Sequence, residues 1–197
     1  MKQAMAVLVS ALVVVATANA ELLQMTAVRL EWPGISEVWR HNAMYFTSNP
    51  SEDGLRHAKS QGVQTIIDLM EPEEHVEPRS WVRFLLEQWI PSLKPRTEAE
   101  IAALLGLRYE SVPLSVDEPS DAAVQRFLAI VQEVNARQLL VHCDVGGRAL
   151  TMYAIYLGTV ESYMPEAAVA QAEQAGLEHA GLKRFALDYL KRAAAHS

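Results

Sequence analysis

Residues 139 to 157, "LLVHCDVGGRALTMYAIYL", constrain the fold more than any other stretch of this chain. The apolar run inside "RQLLVH" is short and reads as a strand. Beyond "CDVGG", the segment "RALTMYAIYLGTV" carries apolar residues on nearly every side of a helix, so that helix has to be buried. A strand that feeds a buried helix through a glycine loop needs a sheet on one side and further helices on the other.

The rest of the chain repeats the alternation from about residue 43 onward. "AMYFTS" is a strand candidate. "NPSEDGLRHAKSQG" follows as a helix with Ser51 as its cap and Gly62 at its end. "VQTIIDLM" is short and β-branched, which predicts a buried strand. "RTEAEIAALLG" predicts a helix capped by Thr97, with Glu100 at the capping-box spacing and Gly106 as the stop. "LRYESVPL" reads as a strand and "PSDAAVQRFLAIVQEVN" as a helix capped by Ser120. Pro165 suits the first turn of a helix that runs through Ala175, with Gly176 closing it. The last helix, "LKRFALDYLKRAAA", turns Leu182, Phe185, Tyr189 and Leu190 to one side. The expected architecture is a three-layer α/β sandwich with a central, partly parallel sheet.

About 35 residues separate "IIDLM" from "GLRYESV", and connections that long are often functional. Within them, Trp81, Phe84, Leu85 and Trp89 predict the apolar face of a helical insertion at about residues 70 to 97. It either covers a cleft or simply packs on the sheet. Lys94 and Arg96 are cations there that could approach an anion, although loop cations are usually just solvated.

Composition narrows the classes. The chain has 197 residues, half of them hydrophobic, and a net charge of -7. That is enough apolar material for a core, and without a Lys/Arg-rich run a phosphate-tracking nucleic-acid surface is not expected. Residues 1 to 20 read as an export signal: Lys2, then "AMAVLVSALVVVATA", then small residues ending at Ala20. The mature chain, 21 to 197, is expected to be a single periplasmic or secreted domain with no stable membrane span. An uncleaved anchor is the alternative. Cys143 is the only cysteine, so it has no partner for an internal disulfide. The six histidines show no ligand spacing, so no metal or cofactor is expected, and His75 reads as a solvated loop residue.

The residues around Cys143 suit nucleophilic chemistry. A strand end, two glycines and a helix start place backbone N–H groups around a concave anion site, and the helix dipole adds positive potential at the same point. Arg148 can hold two anionic oxygens with its planar fork. Amides, dipole and guanidinium together would stabilise a thiolate. A buried core cysteine is the bland alternative, but Gly146 and Gly147 are entropically costly unless the backbone needs unusual dihedrals or close ligand approach.

"LLVHCDVGGRAL" resembles the phosphate-binding loop of cysteine-dependent protein phosphatases. With "YFTSNPSEDGLRHAKSQGVQTIIDL", "GLRYESVPL" and "MPEAAVAQAEQAGL", the layout from about residue 35 to 178 is similar to the bacterial dual-specificity-phosphatase-like family that also occurs fused to β-lactamase-like hydrolases. The resemblance implies a phosphomonoester phosphatase acting on a phosphorylated protein or a small phosphoester. Cys143 would attack phosphorus and carry a phosphocysteine, while Arg148 and the amides of Asp144, Val145, Gly146 and Gly147 would bind the equatorial oxygens. His142 would orient the loop; its alternative is a core histidine bonded to backbone. Asp117 would be the general acid, with Glu118 and Asp121 as rivals, Asp121 being better placed to serve a helix N-terminus.

Three departures keep other readings open. "CDVGGR" has one residue fewer between Cys and Arg than the familiar tyrosine-phosphatase loop, and rhodanese-like sulfurtransferases use a loop of this smaller size to carry a persulfide. Ala149 stands where a Ser or Thr usually follows the Arg, and Thr151 is further along. Asp144 would oppose both thiolate and bound dianion if it pointed inward. An inactive phosphate-binding protein is therefore a third reading.

Overall fold

The computed structural model describes residues 27–75, 95–134 and 138–195. The proposed export signal, the aromatic residues of the 70–97 segment and Lys94 lie outside the described residues.

Among the described residues six strands form one sheet: β1 (Val28–Trp32), β2 (Ile35–His41), β3 (Met44–Thr47), β4 (Thr65–Asp68), β5 (Arg108–Ser111) and β6 (Leu139–His142). Their order is β1-β2-β3-β6-β4-β5. β1, β2 and β3 pair antiparallel, and β3, β6, β4 and β5 pair parallel, so the sheet is partly parallel as expected. The β1–β2 hairpin precedes the first strand predicted from sequence. β1 is an edge strand with most of its side chains in solvent or half-buried, and so lacks the apolar periodicity that marks a strand. The turn residues Pro33-Gly34 are its local signal, and Gly34 has φ +73°.

Among the described residues the α-helices are α1 (Glu52–Ser60), α2 (Glu98–Leu104), α3 (Asp121–Glu133), α4 (Gly147–Thr159), α5 (Pro165–Gln174) and α6 (Ala180–Ala194), and a short 3-10 turn spans Pro72–His75. Local chemistry sets most of their starts. The hydroxyls of Ser51, Thr97 and Ser120 accept the N–H groups of Gly54, Glu100 and Ala123, and Glu100 closes the capping box on Thr97. Pro165 occupies the first turn of α5, and His179 caps α6 through its ring.

Helices cover both faces of the sheet. One core joins the face of Phe46, Ile67, Val141 and Cys143 to α3, α4, α5 and α6. The other joins Val38, Ile66 and Leu140 to α1 and α2. α4 contributes ten consecutive buried residues, Arg148 to Leu157, as an all-round apolar helix must. Within α6, Leu182 and Leu190 are buried, and Phe185 and Tyr189 pack half-buried beside them. No helix among the described residues is long and apolar enough to cross a membrane.

Candidate active site

The site forms where the parallel strands end. β6 lies between β3 and β4, so its last residues are held from both sides. The Leu69 N–H donates to the His142 carbonyl at 2.9 Å, the Cys143 N–H to Thr47 at 3.4 Å, and the Asn49 N–H to the Asp144 carbonyl at 3.0 Å. Cys143 is thereby fixed at the floor of the loop, 1% exposed.

The chain then turns into α4. Gly146 is the helix cap with φ +90°, a left-handed conformation that favours glycine, and no side chain caps the first N–H groups of α4. Gly147 has no such constraint: a Cβ there would meet only Leu182, at an ordinary 3.8 Å. Of the two glycines, the backbone requires the first. Asp144 and Val145 are exposed, so the Asp144 side chain does not sit in the buried floor beside the thiol.

Arg148, in the first turn of α4, is 4% exposed and ties three segments together. Its Nη1 donates to the Leu69 carbonyl at 3.3 Å and the Leu114 carbonyl at 3.4 Å. Both Nη atoms also donate to Glu74, at 2.5 and 2.6 Å, in a bidentate pair. Burial works against the Arg148 charge, but the Glu74 hydrogen bonds and the nearby Cys143 sulfur outweigh it and hold the guanidinium above its ordinary range. Those same bonds hold Glu74 below the usual carboxylate range despite its partial burial. Cys143, Arg148 and the start of α4 are thus joined by one short loop.

The loop after β5 meets this cradle through Leu114. Asp117 lies further along it, at an exposed bend. Its two rivals sit differently. Asp121 opens α3 and its carboxylate accepts from Arg192 at 2.8 and 2.9 Å, so it is committed to a surface ion pair. Glu118 is exposed, and its N–H donates to the Ser115 hydroxyl. Ala149 is buried, and the Thr151 hydroxyl donates to the Gly147 carbonyl one turn back in its own helix, so that oxygen is held by α4 itself.

Two histidines have surroundings that the sequence did not specify. His142 is not a core histidine bonded to backbone: neither ring nitrogen has a hydrogen-bond partner, although Nε2 lies 2.8 Å from Glu98 Oε1. His75 is not simply solvated, because its Nε2 lies 2.9 Å from the wholly buried Asp68 Oδ2. Tyr109 donates to the same carboxylate oxygen at 2.5 Å. Burial, and then that bond to Asp68, pushes the phenol far above its usual range, so it remains a donor. Arg96, a candidate anion contact, lies 3.8 Å from Glu52 instead and lines a cleft of about 430 Å³ with His75, Glu98 and Tyr109. Glu74, Asp68, Glu98 and Tyr109 were not picked out from sequence. The available signal was Asp68, a charge ending the otherwise apolar "TIID".

A partly parallel sheet with helices on both faces, and a cysteine loop running from its central strand into a buried helix, define the fold of the cysteine-dependent phosphatases. Solved structures agree. P. aeruginosa TpbA has a TM-score of 0.62 at 18% identity, covering 87% of this chain and 97% of its own. TpbA with cysteine replaced by serine, in complex with phosphotyrosine, has a TM-score of 0.59 at 19% identity, covering 88% and 98%. Kinase associated phosphatase, its catalytic-site cysteine also replaced by serine, has a TM-score of 0.58 at 17% identity, covering 78% and 89%. No curated protein matches the sequence. Over residues 24–187 the chain matches, and belongs to, the PTP-NADK family, described as "DSP-PTPase phosphatase fused to NAD+ Kinase".

Proposed function

We propose that this protein is a phosphomonoester hydrolase working through a phosphocysteine on Cys143. The observation that carries the proposal is the buried Arg148 guanidinium, held by Glu74 in the first turn of α4, at the end of the loop that begins at the buried Cys143. The guanidinium and the loop amides can receive the oxygens of a phosphoryl group. Glu74 keeps the fork aligned through its bonds to Nη1 and Nη2.

The reaction runs in two steps. Cys143 Sγ attacks phosphorus, the bond to the ester oxygen breaks, and that oxygen leaves with a proton from the Asp117 carboxyl. Water then attacks the phosphocysteine, Asp117 accepts its proton, and the sulfur leaves as thiolate with inorganic phosphate as product. The position of Asp117 on a loop that reaches the cradle through Leu114 supports this role. Substrates would be phosphorylated proteins or small phosphoesters, encountered in the periplasm or outside the cell. The phosphotyrosine complex of TpbA makes an aryl phosphate the natural first probe.

The one-residue-shorter loop favours a second reading, sulfur transfer, and one assay separates them. Wild type, Cys143→Ser and Asp117→Asn are given an aryl phosphate, and separately thiosulfate with cyanide. The expected result is phosphate release that falls at least about 10⁴-fold in Cys143→Ser and about 10²-fold in Asp117→Asn. Thiocyanate formation without phosphate release would replace the proposal with sulfur transfer. Tight binding of phosphate with no turnover of either substrate would leave a binding protein.

A further inference from the structure

The geometry points to a site for one divalent transition-metal ion, of the Zn²⁺ class, formed by Asp68, Glu98 and His142 behind the cysteine loop. Asp68 and His142 end adjacent parallel strands and are register partners. Side chains alternate along a strand, so both project on the α1/α2 face, opposite the face to which Cys143 belongs. Glu98, the first residue of α2, meets them there.

The polar atoms converge, with His142 and Glu98 at ion-pair distance but without hydrogen-bond geometry. One donor atom from each residue lies within 4.8 Å of those of the other two. His142 Nε2 is 2.8 Å from Glu98 Oε1 and 3.8 Å from Asp68 Oδ1. Asp68 and His142 are completely buried. Yet both ring nitrogens of His142 and Oε1 of Glu98 lack a hydrogen-bond partner. Buried polar groups are otherwise almost always bonded, and a pair of buried carboxylates needs positive charge. A cation bound by one imidazole and two carboxylates would meet both needs, and that mixed nitrogen and oxygen set suits Zn²⁺.

The surroundings fit a metal as well. Asp68 is oriented by the Met70 N–H at 2.8 Å, the Tyr109 hydroxyl and His75, the arrangement by which outer groups fix a ligating carboxylate. The cleft lined by His75, Arg96, Glu98 and Tyr109 gives access from solvent. The ion would join β4, β6 and α2, clipping together the two ends of the connection between Asp68 and Glu98 and holding the residue next to the nucleophile. Ligand-spacing rules miss the site because each ligand comes from a different element.

The test uses the full chain, stripped with a chelator, dialysed and titrated with ZnCl₂. Wild type and Cys143→Ser should each bind one Zn²⁺ with similar affinity and gain thermal stability, and Glu98→Gln should bind at least tenfold more weakly. Zinc-edge X-ray absorption of the wild type should show nitrogen and oxygen neighbours with imidazole scattering; it needs no variant and so stands even where one fails to fold. A sulfur neighbour at about 2.3 Å, or binding lost in Cys143→Ser and kept in Glu98→Gln, would place the ion on the thiol and overturn the proposal. Failure to bind Zn²⁺ at one ion per chain would overturn it too. The readouts are binding and spectroscopy, so they do not depend on phosphatase activity.

Discussion

His142 and Cys143 are neighbours in the chain, but they open onto opposite faces of one sheet with opposite chemistry. On the Cys143 face the strand runs into an apolar core, and the polar groups that gather are donors and cations: amides, the start of α4 and Arg148. On the His142 face the groups that gather are acceptors: Asp68 and Glu98, with His75 and Tyr109 beside them. The difference teaches that consecutive residues at one strand end can serve two separate proposed sites, one for an anion and one for a cation, because the pleat sends successive side chains apart. It also shows where each site takes its counter-charge. Arg148 has its own carboxylate in Glu74, whereas the Asp68 and Glu98 pair has imidazoles only.

The largest break in the comparison should come from Arg148. Arg148→Lys keeps the charge but loses the fork that holds Glu74 and an anion together, so kcat/KM for an aryl phosphate should fall about 10²- to 10³-fold. Zn²⁺ binding on the other face should not change, and isothermal titration of the same preparation checks it. An equal loss of both functions would mean that the two faces are not separate sites.

A smaller effect sharpens the cradle itself. Gly146→Ala forces a β-carbon into a φ of +90° and should cost about 1–2 kcal/mol in urea unfolding. Gly147→Ala has ordinary space and should change stability by less than about 0.5 kcal/mol. Equal effects would mean that the turn does not depend on the left-handed residue.

The smallest effect concerns pH. The folded-state carboxyl of Glu74 lies below its ordinary value of 4.5 because Arg148 holds the charged form. Its contribution is therefore fully present above about pH 4.5 and is lost as pH falls through the lower, folded-state value. The Glu74 side chain is 32% exposed, and solvent screens the pair from that side, so Glu74→Gln should lose up to about 1 kcal/mol at pH 7, with the gap to wild type closing below pH 4.5. Urea midpoints at pH 7 and pH 3.5 measure it, and a gap that widens in acid would reverse the assignment.

Much of this was legible in the sequence where the signal is local. Ser51, Thr97 and Ser120 cap the helices they were expected to cap, because a hydroxyl and an N–H three residues on need nothing else. The buried character of α4 followed from its apolar residues, and Cys143, the glycines and Arg148 lie together because the chain itself joins them. The β1–β2 hairpin was harder, since an edge strand buries too little to show a period. Glu74 was harder still, lying far from Arg148 in sequence and meeting it only through the fold.

The sequence by itself therefore determined the helices and strands from β3 onward, the caps of α1, α2 and α3 and the composition of the cysteine loop, all governed by contacts within a few residues. The tertiary structure decided the strand order, the choice of Glu74 as partner of Arg148, the commitment of Asp121 to Arg192, and the meeting of Asp68, Glu98 and His142. These depend on which strand ends become neighbours. Long-range packing sets that, and the local pattern of residues does not encode it residue by residue.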